Sequence, residues 1–174
     1  ACRPSARRSA PGISRPSHFR GVTTGLAKLL NVVRPDSIVL GQRDAQQVAV
    51  VRKMIADLCF GVEVHVAPVV READGLVVTV RNRELTSGQR QEAAGLQAAL
   101  LKAREMAAHG VRSPDRIISE VTHLLGGRRR VRVIYVAMVY PGTMEPLREV
   151  VPGRTLLAIA VWIDEVRLID NIEL

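Results

Sequence analysis

From position 21 to 33 the apolar residues Val22, Leu26, Leu29, Leu30 and Val33 recur at helical spacing, and Arg34-Pro35-Asp36 ends the helix. SIVLG, at 37–41, is a short unbroken apolar run, as expected of a strand buried on both faces of a parallel sheet. Asp44 then stands where it can cap a helix running from 45 to about 58, with Val48, Val51, Ile55 and Leu58 on its inner face. VEVHVAPVV, at 62–70, reads as the next strand. Helix, strand, helix, strand over 18–70 is half of a doubly wound α/β sheet.

Past 82 the periodicity changes. Thr86-Ser87-Gly88-Gln89 has capping-box spacing ahead of a long Ala/Leu-rich helix to about 108, closed by His109-Gly110. Ser113-Pro114 supplies a cap and a first helical residue for a helix to 125. Strands follow over 131–139, 155–163 and 166–172, with turns at Pro141-Gly142 and Asp164-Glu165. This half reads as α+β with a small antiparallel or mixed sheet. Residues 1–17 show no apolar period. Their Arg, Ser and Pro content predicts a disordered basic tail; it has the flavour of a transit peptide, but the prolines spoil an amphipathic helix.

Composition narrows the picture. Of the 174 residues 47% are hydrophobic but only 3% aromatic, so the core is built of Val, Leu, Ile and Ala, which suits an α/β fold. No apolar run is long enough for a membrane-spanning helix, and a soluble protein is expected. The formal charge of +8 favours an anionic partner. Its excess sits in Arg3, Arg7, Arg8, Arg15 and Arg20 and in Arg128-Arg129-Arg130. Few aromatics are available to stack on bases, which argues against a nucleic-acid module. Cys2 and Cys59 fit neither a disulfide framework nor a thiolate metal site, and a reducing cytoplasm is expected.

Two stretches carry candidate chemistry. GQRDAQQ, at 41–47, leaves a parallel strand and opens a helix, where free N–H groups meet anions. Gly41 would admit a ligand close to the backbone, Arg43 would meet a phosphate, and Gln47 would hold a polar substrate. Asp44 would accept from a ribose hydroxyl or simply cap the helix. READGLVVTVRN, at 71–82, offers Thr79, Arg81 and Asn82 as phosphate donors beside an Asp74-Gly75 turn that would make the loop mobile. The plainer alternative is an ordinary hairpin. His18 precedes the first helical pattern and is either a contact to a substrate carboxylate or structural. His65, His109 and His123 lack metal-ligand spacing, and neither a Ser/His/Asp triad nor a Walker loop is present.

HFRGVTTGLAKLLNVVRPDSIVLGQRDAQQ, then PVVREADGLVVTVRN, then the terminal RLIDNI resemble the pantothenate synthetase (pantoate–β-alanine ligase) family from about Pro16 onward. The resemblance implies a Rossmann-like nucleotide-binding fold of the class I synthetase type. It implies ATP and Mg2+, condensation of pantoate with β-alanine through a pantoyl adenylate, and a homodimer. Gly41 and Asp44 fall on the residues that meet the ribose, Arg43 on a phosphate-binding lysine, and Gln47 on the pantoate-binding glutamine. His18 falls on an active-site histidine, and Val70 on a backbone contact to adenine. Thr79, Val80 and Arg81 fall on a Ser-Ser-Arg phosphate loop, with Val80 lacking the hydroxyl.

The family's His-x-Gly-His motif does not occur here. The resemblance therefore implies a C-terminal portion: a tail over 1–17, a partial nucleotide-binding domain over 18–82 and an α+β domain over 83–174. SIVLG would then have an open edge, and the chain alone is expected to be marginal, sticky or oligomeric, completed by a second copy or by a complementing N-terminal half. The alternatives are an inactive homologue that binds nucleotide or a partner, and a basic nucleic-acid-binding module.

Overall fold

The computed structural model describes residues 16–174. The basic tail expected over 1–17, with Cys2, lies outside them except for Pro16 and Ser17, which open the first helix. α1 (Pro16–Val33) leads through Arg34, at φ +49°, into β1 (Ser37–Gly41). A 3-10 turn (Gln42–Asp44) joins β1 to α2 (Ala45–Asp57), and β2 (Glu63–Ala67) follows. β2 stops before Pro68, short of the expected strand over 62–70, because proline cannot donate to the ladder.

β1 and β2 pair in parallel, Ser37 opposite Glu63 through Gly41 opposite Ala67. They form a two-stranded sheet. Leu30, Val51, Met54 and Ile55 make its small core, joined by the half-buried Leu26, Ile38, Leu40 and Val64. Exposure alternates along β1, and Val39 is 68% exposed, so the strand is covered on one face only. Burial on both faces is thereby corrected: helices α1 and α2 supply one layer, and no second layer is present among the described residues. Leu58, expected on the inner face of α2, lies just past its end and is likewise exposed.

The larger core belongs to the second half. α3 (Ser87–Ala93), α4 (Gly95–Ala108) and α5 (Pro114–Gly126) are followed by β3 (Val131–Val139), β4 (Leu156–Ile163) and β5 (Val166–Glu173) in one antiparallel sheet of order β3-β4-β5. The single long helix expected up to 108 is broken at Ala94-Gly95. Gly95 is buried against the Arg128 guanidinium, only 1.9 Å from where a Cβ would stand. The expected capping box forms: Thr86 Oγ1 accepts from Gln89 N at 3.3 Å, and Gln89 Oε1 accepts from Thr86 N at 2.9 Å. Ser113 caps α5 with Pro114 in its first turn, as read from the sequence.

The sheet has two unlike faces. Leu157, Ile159, Val161 and Ile163 of β4, with Val166 and Leu168 of β5, are buried with the helical residues Leu96, Leu100, Ile117 and Val121. The β3–β4 register steps by one between Val133 and Tyr135, leaving Ile134 as a bulge. Without that step Tyr135 would share the core face with Val131 and Val133. With it, Tyr135 pairs with Ala160, itself opposite Ile169, on the face turned towards the first half. That face meets the 3-10 turn. Asn171 Nδ2 donates to the carbonyls of Gln42 (2.9 Å) and Arg43 (3.0 Å), and Gln42 Nε2 donates to Glu173 Oε1 at 2.7 Å.

Candidate functional site

A cavity of about 290 Å³ opens between the 3-10 turn and this face of the C-terminal sheet. One wall is His18, Arg43, Asp44, Gln47 and Arg81; Tyr135, Met144, Arg167 and Ile169 face them. A smaller cavity, about 20 Å³, continues past Arg43, Arg81 and Arg167 to Thr79. Five of the residues read from the sequence thus share one cavity, and Thr79 lines its extension. Gly41 and Val70 line neither. Gly41 ends β1 at φ −82°, with nothing within 4 Å of an added Cβ, so its backbone is open to approach. Val70 is 65% exposed, and its carbonyl accepts from Val78 N at 2.9 Å.

Each wall residue is placed by its element. Arg43 and Asp44 lie in the tight turn that leaves β1, and Gln47 is in the first turn of α2. Asp44 occupies the cap position of α2 but makes no capping hydrogen bond, so its ordinary helix-capping role is not taken. Its carboxylate instead stands 3.7 Å from the Arg43 guanidinium. Arg43 Nε is buried without a partner. The exposed His18 sits in the first turn of α1, its ring edge-on to Phe19.

The stretch at 71–82 is fastened along most of its length. Arg71 grips Asp170 with both Nη atoms, at 2.7 and 3.0 Å, and donates to the Gly75 carbonyl. Arg90 binds Glu72 and, at 2.6 Å, Asp74. Gly75 turns at φ +89°, and Leu76 is buried in the larger core. The expectation that the Asp74-Gly75 turn loosens the loop is therefore corrected: three ion pairs and a buried leucine hold it. Asn82 is corrected as well. It is buried, and its Nδ2 donates to Glu72 Oε1 (2.5 Å) and to the Val77 carbonyl (2.9 Å), which leaves it no phosphate role. Thr79 Oγ1 caps the 3-10 turn Val80–Glu84 by accepting from Arg81 N, and Arg81 Nη1 donates to the Arg167 carbonyl at 3.3 Å.

Electrostatics separate the scaffold from the cavity. The Asn82 hydrogen bond, then Arg90, hold the Glu72 carboxyl below its ordinary value. Desolvation pushes Asp74 up, but Arg90 and the Leu76 N–H outweigh it and leave it lowered. Burial drives Asp170 upward against the opposing pull of Arg71. Burial also raises the Tyr135 phenol, with Arg167 opposing and Asp44 assisting, so it stays protonated. Among the described residues no group of three His, Cys, Asp or Glu side chains could hold a metal ion. The two carboxylates at the cavity are already engaged, so the donor set does not form a protein cage for Mg2+.

Nothing in the sequence singles out Tyr135 or Met144, and Arg167 stands out only as the first residue of RLIDNI. Tyr135 needs the bulge, and an arginine alternating with valine and leucine in a strand reads as ordinary solvated decoration.

A family model described as Pantoate-beta-alanine ligase matches residues 3–173. The pantothenate synthetase of Thermoanaerobacter sp. (strain X514) is 45% identical over 161 residues, covering 92% of this chain and 56% of the relative. That of Moorella thermoacetica is 43% identical, covering 94% of this chain and 57% of the relative. The crystal structure of pantothenate synthetase from Thermus thermophilus superposes with a TM-score of 0.87 at 40% identity, covering 93% of this chain and 58% of that one. A pantoate-beta-alanine ligase from Francisella tularensis, complexed with beta-gamma ATP and beta-alanine, shares the fold at 24% identity and a TM-score of 0.68. The chain thus spans a little over half the length of the relatives it matches. With the family model matching nearly its whole length, the chain belongs to the pantoate–β-alanine ligase family.

Proposed function

We propose that this chain supplies the polyphosphate-binding wall and one side of the acid-binding site of an ATP-dependent pantoate–β-alanine ligase. One observation carries the reading. His18, Arg43, Asp44, Gln47 and Arg81, drawn from separate segments, converge on one cavity in a chain of this family. In the reaction, the pantoate carboxylate attacks the α-phosphorus of ATP, forming pantoyl adenylate and releasing pyrophosphate. The β-alanine amine then attacks the acyl carbon, and AMP leaves.

Arg43 and Arg81 are assigned to the charge that develops on the departing pyrophosphate, where fixed guanidinium donors act most strongly in a partly dry site. Gln47 and His18 hold pantoate, and Asp44 takes a ribose hydroxyl, which its free cap position favours. Thr79 faces the phosphates. Gly41 and Val70 are assigned to the nucleotide through their backbones. Mg2+ enters with the nucleotide.

The division into a nucleotide-binding part over 18–82 and an α+β part over 83–174 is part of the proposal, supported by the two separate cores. A second copy or a complementing N-terminal half completes the site, as the one-sided β1–β2 sheet and the exposed Val32 (83%) and Val39 suggest. A cytoplasmic location is part of the proposal. A second reading, nucleotide binding without turnover, is favoured by one observation: Val80 exposes 76% of an apolar side chain where the phosphate loop would offer a hydroxyl.

The test is AMP and pantothenate production from ATP, pantoate and β-alanine with magnesium, beside an Arg81→Ala control. Turnover that falls about a hundredfold or more in the variant supports the ligase reading. A folded wild-type chain that binds ATP and forms no AMP, alone and with an added N-terminal half, supports binding without turnover.

A further inference from the structure

Two segments with candidate chemistry are tied to the same stretch of β5. The 42–44 turn, which bears Arg43 and Asp44, has no side-chain cap at its own start, and Asp44 makes none for α2. A hold on the turn comes instead from far along the chain. Asn171, 4% exposed, donates through Nδ2 to the Gln42 carbonyl at 2.9 Å and to the Arg43 carbonyl at 3.0 Å. Two carbonyls before one end of the side chain require its NH2 there, which fixes the way the amide points. Two residues on, Glu173 Oε1 accepts from Gln42 Nε2 at 2.7 Å. Strand alternation puts Asn171 and Glu173 on one face of β5 and Asp170 on the other. The buried Asp170 accepts from both Nη atoms of Arg71, at 2.7 and 3.0 Å, and from Asn171 N at 2.7 Å. Arg71 opens the segment that leads to Thr79 and Arg81. The end of β5 is thus fastened to one segment through Asn171 and to the other through Asp170.

We propose that Asn171 is a positioning residue: it holds the 42–44 turn, and with it Arg43 and Asp44, at a fixed offset from the segment that carries Thr79 and Arg81. The inference rests on the nucleotide-binding reading above and deepens it. Asn171 grips the turn by its backbone carbonyls, so the hold uses neither the Arg43 guanidinium nor the Asp44 carboxylate. It is anchored on the stronger half, because Asn171 pairs with Ala158 in the β4–β5 ladder, beside the buried Leu157 and Ile159. Donors aimed at a developing charge act strongly only when their geometry is set beforehand, and a few tenths of an ångström of slack in the turn weakens them.

Amide hydrogen exchange of the 174-residue chain, read by mass spectrometry, tests the hold. N171A removes both side-chain donations and keeps the backbone N–H that bonds Asp170. Amides over 42–47 are expected to exchange at least about tenfold faster, as for two hydrogen bonds of ordinary net strength, while 71–78 and β4 stay within about twofold of wild type. N171S offers one donor instead of two and is expected to fall between; it carries the test alone if N171A does not fold. V121A, which opens a cavity in the larger core, is the control for general loss of stability and is expected to speed β4 without singling out 42–47. The hold is overturned if 42–47 exchange as in wild type, or speed up only in step with β4. Isothermal titration with ATP and magnesium on the same samples separates the hold from the reading it rests on. ATP binding weakened several-fold in N171A supports both. A wild-type chain that does not bind ATP sinks the nucleotide reading and leaves exchange to decide the hold. A loosened turn with unchanged ATP affinity overturns Asn171 as a positioning residue.

Discussion

Glu72, Asp74, Asn82 and Arg90 form a knot that sets where Arg81 begins. Asn82 gives both of its observed side-chain bonds inward, to Glu72 and to the Val77 carbonyl, and Arg81 is therefore presented outward from a rigid 3-10 turn. Asn82→Ala leaves the Val77 carbonyl and Glu72 short of a donor in a buried place. We expect it to destabilise the fold by about 1–3 kcal/mol, read as a lower urea midpoint at unchanged slope. The knot also has a pH signature. The Glu72 carboxyl lies below its ordinary 4.5 in the folded chain, through Asn82 and then Arg90. Its contribution is thus fully present above about 4.5 and is lost as pH falls through the lower folded value. Melting temperature should drop on acidification below that point, and Glu72→Gln should drop less. An identical acid profile for the two proteins would show that other carboxylates dominate.

Among the elements, α3 is short and depends on its ends. Gln89 closes the capping box and also donates to Asp164 Oδ2 at 3.0 Å, in the β4–β5 turn. Gln89, then Arg130, hold the Asp164 carboxyl below its usual range. One side chain therefore starts a helix and ties it to the sheet. Gln89→Ala should cost about 1–3 kcal/mol, more than Thr86→Ala at about 1 kcal/mol, since it breaks both the box and the tie. Thermal melts of the two variants rank them, and equal losses would mean the tie contributes nothing. The Ile134 bulge acts at the same scale, carrying Tyr135 from the core face to the cavity face. Deleting Ile134 should restore plain alternation, bury a phenol among Val131 and Val133, and lower the melting temperature sharply.

Over the whole molecule, stability is uneven. The C-terminal sheet and its helices share an extensive buried core, whereas the N-terminal half has a core cluster of only four buried residues and a two-stranded parallel sheet. Such a sheet is marginal alone. Amide exchange should be fastest over 37–67 and slowest over β4. Leu29, Val32, Val33, Val39 and Leu58 leave an apolar surface on the weaker half. Sedimentation should show concentration-dependent association, reduced in Val32→Glu; a monodisperse monomer at all concentrations would remove the case for self-association.

The sequence by itself determined what depends on neighbours along the chain. Helix and strand periods placed most elements; the Thr86-x-x-Gln89 box and Ser113-Pro114 start their helices where read; Arg43, Asp44, Gln47 and Arg81 were recognisable as candidate chemistry from their place after a strand or in a loop. Only the tertiary structure decided what depends on register and on partners distant in sequence. It turned Asn82 inward, fastened the 71–78 loop through Arg90 and Asp170, broke the long helix where Arg128 packs on Gly95, and left β1 one-sided. It also brought Tyr135 and Arg167 to the cavity, because a single-residue bulge and a cross-strand pairing fix which way a side chain faces. A local pattern records that a residue alternates; what lies on each side of it is set by long-range pairing.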